Sequence, residues 1–238
     1  MLKPSANAAP QQPFIAPYGD SAIHVTFSSQ GYNEDISETV LSLADALRRS
    51  GDWDDVVCGY DSLVASFNPV KLCLNKAGKR LEEVLSQHAK NLPASPKIVD
   101  VPVYYGGQNG PDMKAVMAAN RLSESAIIGL HSENTYRVCM MGFVPGFTFL
   151  SAAPAPLHHP RHAEPRLSVP AGSVGIASWQ TGIYGLASPG GWQIIGRTPL
   201  TIFDAQRETP FLWAAGDAIR FVPMDGPFPS TAQSGGGA

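Results

Sequence analysis

Between Gln180 and Thr198 the sequence gathers uncharged hydrogen-bonding groups around glycines. The runs are Gln180-Thr181-Gly182-Ile183-Tyr184, then Ser188-Pro189-Gly190-Gly191-Trp192, then Arg197-Thr198. Glycines let backbone N–H groups come close to a ligand, and Gln, Thr, Tyr and Ser add neutral donors. Arg197 can fork onto a carboxylate or a phosphate. The same residues can equally build the corners of a β-structure and pair among themselves, and their types alone leave the two readings level. His131, in His131-Ser132-Glu133, stands where a predicted helix meets a strand and can move a proton near neutral pH. A histidine at a helix end also commonly bonds the terminal carbonyls. Taken as a site, His131 is the expected acid–base group. Gln180, Thr181, Tyr184, Ser188 and Arg197 are then the expected substrate-binding groups, lining one polar cleft suited to charge developing on a carbonyl oxygen.

Other motifs carry less chemistry. His158, His159 and His162 have a suggestive spacing, but four prolines between 154 and 165 place them on no common helix face, so no metal site is expected. Ala171-Gly172-Ser173-Val174-Gly175 lacks the first glycine of a nucleophile elbow and the strand–helix context, and reads as a turn. No phosphate-binding loop of the G-x-x-x-x-G-K-[ST] kind occurs, so any ATP must be held by another device or by a partner. Phe143, Pro145, Phe147 and Phe149 crowd one Gly/Pro loop. They are expected to form either an apolar partner interface or a buried plug.

The elements that must position these groups follow from periodicity. Ile23, Val25 and Phe27 alternate as a strand. A helix then runs from a cap at Asp35, with Glu38 completing a capping box, through Ile36, Val40, Leu43 and Leu47 to Gly51. Residues 56–60 and 63–67 read as a hairpin. A second helix starts at Asn75, carries Leu81, Val84, Leu85 and His88 on one face, and closes at Pro93. Residues 97–105 read as a further strand, with Pro102 marking an edge. That β-α-β-β-α-β order predicts a ferredoxin-like α+β domain over residues 13–100. Two short helices follow, one after Gly110-Pro111-Asp112 and one capped by Ser123. They are scaffold rather than a DNA-reading pair, because the local charge is not basic. Residues 142–200 hold nine glycines and eight prolines. With Val, Ile, Trp and Phe interleaved, that density predicts short strands and tight turns, hence a small β-barrel over residues 101–228. Gly216-Asp217 turns into its last strand. Residues 1–12 and 229–238 are expected to be flexible tails.

Hydrophobic residues make up 44% and charged residues 16% of the 238, which is ample for packed cores and unlike a disordered chain. The formal net charge of −3 gives no basic excess for nucleic acid or an anionic membrane. No apolar run suits a membrane helix, and Met1 to Pro13 reads as neither a signal nor a transit peptide. Three cysteines, Cys58, Cys73 and Cys139, fit no zinc or redox spacing, and a cytoplasmic location is expected.

A set of motifs in fixed order then resembles a known family. They are Met141-Gly142-Phe143-Val144-Pro145-Gly146-Phe147, Arg166 with Pro170-Ala171-Gly172-Ser173-Val174-Gly175-Ile176-Ala177, Gln180 to Tyr184, Ser188 to Trp192, and Ile195-Gly196-Arg197-Thr198-Pro199-Leu200. Tyr18-Gly19-Asp20-Ser21-Ala22 and Pro102-Val103-Tyr104-Tyr105-Gly106-Gly107 fit as well. The series resembles the 5-oxoprolinase B-subunit family, also called the KipI or allophanate-hydrolase-subunit-1 family, over about residues 14–224. The resemblance implies a ferredoxin-like N-terminal domain and a cyclophilin-like β-barrel. It also implies two kinds of 5-oxoprolinase partner, a C subunit with a similar barrel and an A subunit that completes the enzyme. The implied activity is ATP-dependent cleavage of 5-oxoproline to glutamate: ATP, bound by the assembled complex, phosphorylates the lactam and water opens it. The alternative the resemblance allows is a KipI-like inhibitor that docks on a sensor histidine kinase.

Overall fold

A computed structural model describes residues 13–27, 32–87 and 97–229. Residues 1–12 and 230–238, within the expected tails, and His88 and Pro93 lie outside the described residues. The chain divides into two units between residues 94 and 95.

In the first unit, strands β1 (Phe14–Pro17), β2 (Ala22–Thr26), β3 (Asp55–Cys58) and β4 (Ser62–Ser66) form an antiparallel sheet of order β1-β2-β4-β3. Helices α1 (Glu34–Ser50) and α2 (Leu74–Gln87) pack on it. Period-2 alternation buries Ile23, Val25, Val56, Leu63 and Ala65, while the 3.6-residue period of α1 buries Val40, Leu43, Ala44 and Leu47. Gly51 ends α1 in the left-handed conformation, its N–H reaching Arg48 O, as its sequence position predicts. The start of α1 differs from expectation. Asn33, not Asp35, caps it by accepting from Ile36 N, and Glu34 and Asp35 fall in the first turn, beside the positive helix end.

The expected last strand of this unit is also corrected. Residues 97–105 do not join this sheet; its fourth position is filled by Phe14–Pro17 on the far side of β2. The segment instead becomes β5 (Ile98–Tyr105) of the second unit, because Val101 and Val103 point into an apolar core there.

The second unit continues with α3 (Met113–Asn120), α4 (Glu124–Ser132), β6 (Thr135–Met141), β7 (Thr148–Ala152), β8 (Arg166–Val169), β9 (Ser173–Ala177), β10 (Gln180–Ile183), β11 (Ser188–Gly190), β12 (Gln193–Arg197) and β13 (Ala218–Pro223). Seven of its strands close a barrel of order β10-β7-β6-β13-β5-β12-β9, and β8 and β11 form a separate two-stranded ribbon. Strand β5 runs parallel to β13, and β12 pairs with it only at Tyr104 and Tyr105. At Pro102 the strand is therefore paired on one side alone, which suits a residue with no N–H to give.

Three apolar clusters organise the barrel unit. Val101, Val103, Tyr136, Val138, Leu150, Val174, Ile183, Ile219 and Phe221 form the largest. Met113, Val116 and Ile127, from the two helices, pack with Leu157, Ile176 and Ile195, so α3 and α4 are scaffold. The third joins Phe147, Val169, Tyr184, Trp192 and Ile194. Trp192 lies across Gly182 and Gly175, where a Cβ would sit 3.1 and 3.2 Å from its atoms. The mixed α+β architecture with a β-barrel agrees with the sequence reading.

Candidate functional site

His131 sits in the last turn of α4, a helix started by Ser123, whose hydroxyl accepts from Ala126 N. The helix delivers the imidazole into the barrel unit with no exposure. Nδ1 lies 2.7 Å from Tyr105 Oη of β5, and Nε2 lies 2.8 Å from Thr181 Oγ1 of β10. Thr181 donates its own proton to Gly175 O at 3.1 Å. Its oxygen must therefore accept from Nε2–H, which leaves Nδ1 to accept from the Tyr105 hydroxyl. The ring stacks on Phe221 at 4.4 Å. Burial pushes its pKa down to about 3, so the ring is neutral near pH 7. Burial likewise raises the Tyr105 and Tyr136 hydroxyls. His131 thus holds a hydrogen-bonded chain inside the unit and presents no nitrogen to an open cleft.

The six expected cleft residues do not converge. His131 and Thr181 bond to each other, and both are fully buried. Tyr184 is buried in the third cluster, edge-on to Phe147 at 4.8 Å. Ser188 is buried and Gln180 partly buried. Arg197 donates Nε–H to Ala171 O at 2.9 Å and lays its guanidinium 4.8 Å from the Phe228 ring centroid. Ala171-Gly172 is a turn with Gly172 at φ 80°, and a Cβ there would meet Thr198 O at 2.3 Å. Arg197 therefore pins a structural turn, the competing reading of its position.

The aromatic loop also divides. Phe147 is 1% exposed and touches the rings of Phe143, Phe149, Tyr184 and Trp192. It is the plug, and this corrects its place in an exposed interface. Phe149 is partly buried against Trp192. Phe143 is 66% exposed and Pro145 is exposed too. Phe143 holds φ 68°, a conformation that costs a bulky residue about 1–3 kcal/mol. With Met141, Gly142, Val144, Gly146 and Phe211 these residues line an open groove of about 310 Å³.

A second polar cluster went unseen in the sequence. Asp112, 5% exposed, takes Arg166 Nη2 on Oδ1 at 2.5 Å, with His162 Nε2 3.3 Å away, and Ile194 N on Oδ2 at 2.6 Å. Burial alone would raise its pKa. Hydrogen bonds from Arg166, Ile194 and His162, with the Arg166 charge, instead hold the carboxyl below its usual range. Arg161 stands beside Gly191; at Tyr184 burial pushes the hydroxyl's pKa up, opposed first by a backbone hydrogen bond from Trp192 and then by the charges of Arg161 and Arg166. Asp112 reads in sequence as the foot of a helix, and Arg161-His162 as loop residues; only the chain's return through Gly190-Gly191 joins them. Among the described residues no group of three or more His, Cys, Asp or Glu side chains is placed to hold a metal ion. His158 and His159 bond the carbonyls of Ala153 and Pro160. No helix among these residues is long and apolar enough to cross a membrane.

Comparison with known proteins fits this architecture. Residues 13–213 match the family described as carboxyltransferase domain, subdomain C and D. A 5-oxoprolinase B subunit of Escherichia coli O157:H7 is 49% identical over 157 residues, 66% of this chain and 71% of the relative. The 5-oxoprolinase B subunit of Bacillus subtilis (strain 168) is 36% identical over 220 residues, 87% of this chain and 91% of the relative. The crystal structure of TTHA0988 superposes with a TM-score of 0.77 at 34% identity over 89% of this chain; the chain spans 41% of that longer one. With its matching domain and relatives that align along most of their own length, the chain belongs to the 5-oxoprolinase B-subunit family.

Proposed function

We propose that this chain is the B subunit of a heteromeric, ATP-dependent 5-oxoprolinase that opens 5-oxoproline to glutamate, and that it is inactive without its C and A partners. The observation that carries the reading is the burial of His131 with both ring nitrogens bonded. The side chain best suited by type to move a proton serves the fold, so proton transfer falls to the assembled complex. The names of the relatives favour the enzyme role over the kinase-inhibitor alternative. The likeness to a longer chain, of which this one spans 41%, supports a barrel that works beside further protein.

The rim of Phe143 and Pro145 is the surface that meets the partner. An aromatic ring left mostly exposed at positive φ gains the isolated fold little beyond its edge contact with Phe147, whereas an interface core is enriched in such rings. The cysteines of the chain are free, consistent with work in a reducing compartment such as the cytoplasm. Co-expression with candidate C and A subunits tests the assembly. The wild-type chain co-purifies with the C subunit, and Phe143→Glu, still folded, does not. A folded Phe143→Glu chain that co-purifies fully would remove this surface from the interface.

A further inference from the structure

Closure of the barrel is thinnest where β5 meets β12. Tyr105 pairs with Gly196 and Tyr104 with Arg197, and the register ends there. On its other side β5 stays in register with β13 from Ile98 to Val103. One end of the short seam is tied down. Gly106 N donates to Ile195 O and Asp112 N to Ile194 O, each at 3.0 Å. Antiparallel bonds alternate, so Tyr104 and Arg197 form the next hydrogen-bonded pair after Gly106 and Ile195, and the last. That end is covered by the segment after β13. Met224 N donates to Val103 O at 2.9 Å, Gly226 turns the chain at φ 88°, and Phe228 comes back over the seam. Its ring stands edge-on to Tyr104 at 5.4 Å, and the Arg197 guanidinium lies 4.8 Å from its centroid. One ring thus touches both members of the last cross-strand pair, by an aromatic contact on β5 and a cation–π contact on β12.

The hold is local. Pro223 to Pro227 are exposed and Phe228 is half-buried. Asp225, Gly226 and Pro227 make no hydrogen bond or ion pair among the described residues. A segment with so few buried contacts opens at low free energy. We propose that residues 224–228 are a latch on the β5–β12 seam. With Phe228 seated the barrel is closed. With Phe228 lifted, β5 and β12 part from the Tyr104–Arg197 end while the Gly106–Ile195 end holds. A closed barrel has no free strand edge, so the latch decides whether this unit presents an unpaired one.

Hydrogen exchange of the full chain, read by NMR at single amides, tests the latch. In Phe228→Ala the amides of Tyr104 and Arg197 exchange about tenfold faster than in wild type, while those of the β5–β13 ladder keep their wild-type rates. Phe228→Trp, which keeps a ring over the guanidinium, restores the protection. Phe228 is half-buried at the end of an exposed segment, so both variants keep the fold. Unchanged exchange at Tyr104 and Arg197 in Phe228→Ala would overturn the latch. So would equal acceleration along the β5–β13 ladder, which would make Phe228 a support of the whole unit, or a Phe228→Trp chain that exchanges as fast as Phe228→Ala.

Discussion

His131 Nε2 lies 2.8 Å from Thr181 Oγ1, and the two join α4 to β10 across 50 residues of sequence. Loss of the imidazole would strip Tyr105 of its acceptor and leave a void against Phe221. His131→Ala is expected to destabilise the barrel unit by about 2–4 kcal/mol. Urea denaturation of the variant checks this, and an unchanged midpoint would contradict the structural role.

Acid should act through the same residue. The folded-state pKa of His131 is depressed from 6.5 to about 3, so between those values the unfolded chain binds the extra proton. Its contribution is complete above about pH 6.5 and is lost as pH falls toward 3, by roughly 2 kcal/mol at pH 5. The lowered Asp112 adds a loss in the same direction, beginning only below the ordinary carboxylate range, as pH falls through its depressed folded value. Denaturation of wild type and His131→Gln between pH 7 and 5 should show a slope in the first that is reduced in the second. Parallel slopes would place the proton uptake elsewhere.

The aromatic loop gives a paired expectation. Phe147→Ala should cost about 3–5 kcal/mol, since Phe147 is buried among four rings. Phe143→Gly should leave stability unchanged or raise it by about 1 kcal/mol, because φ 68° is unstrained for glycine. Thermal melts of the two variants decide it, and equal losses would mean that Phe143 also belongs to the core.

Asp112→Asn leaves Arg166 without its counter-charge while keeping an acceptor for Ile194 N. A loss of about 1–3 kcal/mol is expected, since Asp112 is buried but the Arg166 side chain is a third exposed. A double-mutant cycle with Arg166→Gln measures the coupling, and a value near zero would reduce the pair to a surface contact.

The elements whose signals are local were legible in the sequence: the αL ending at Gly51, the Ser123 cap, and the short strands among glycines and prolines. The placement of β5 was not. Its alternating valines fit any sheet, and only pairing with β13, more than a hundred residues on, sends it to the barrel. The site misled for a related reason. Glycines beside polar side chains suit a binding cleft and a barrel corner alike, and the corner won because Thr181 is bonded by His131 from the distant α4 and Arg197 by the turn at Ala171. The Asp112–Arg166 pair spans 54 residues and has no local pattern to announce it.

The central claim, that catalysis belongs to the assembled complex and not to this chain, is tested most directly by 5-oxoproline-dependent ATP hydrolysis, measured for the purified chain and for the chain co-expressed with candidate C and A subunits. No turnover above background by the chain alone, and turnover on assembly, is the predicted result. Turnover of 5-oxoproline by the purified chain, or an assembled complex that hydrolyses ATP no faster when 5-oxoproline is added, would contradict it.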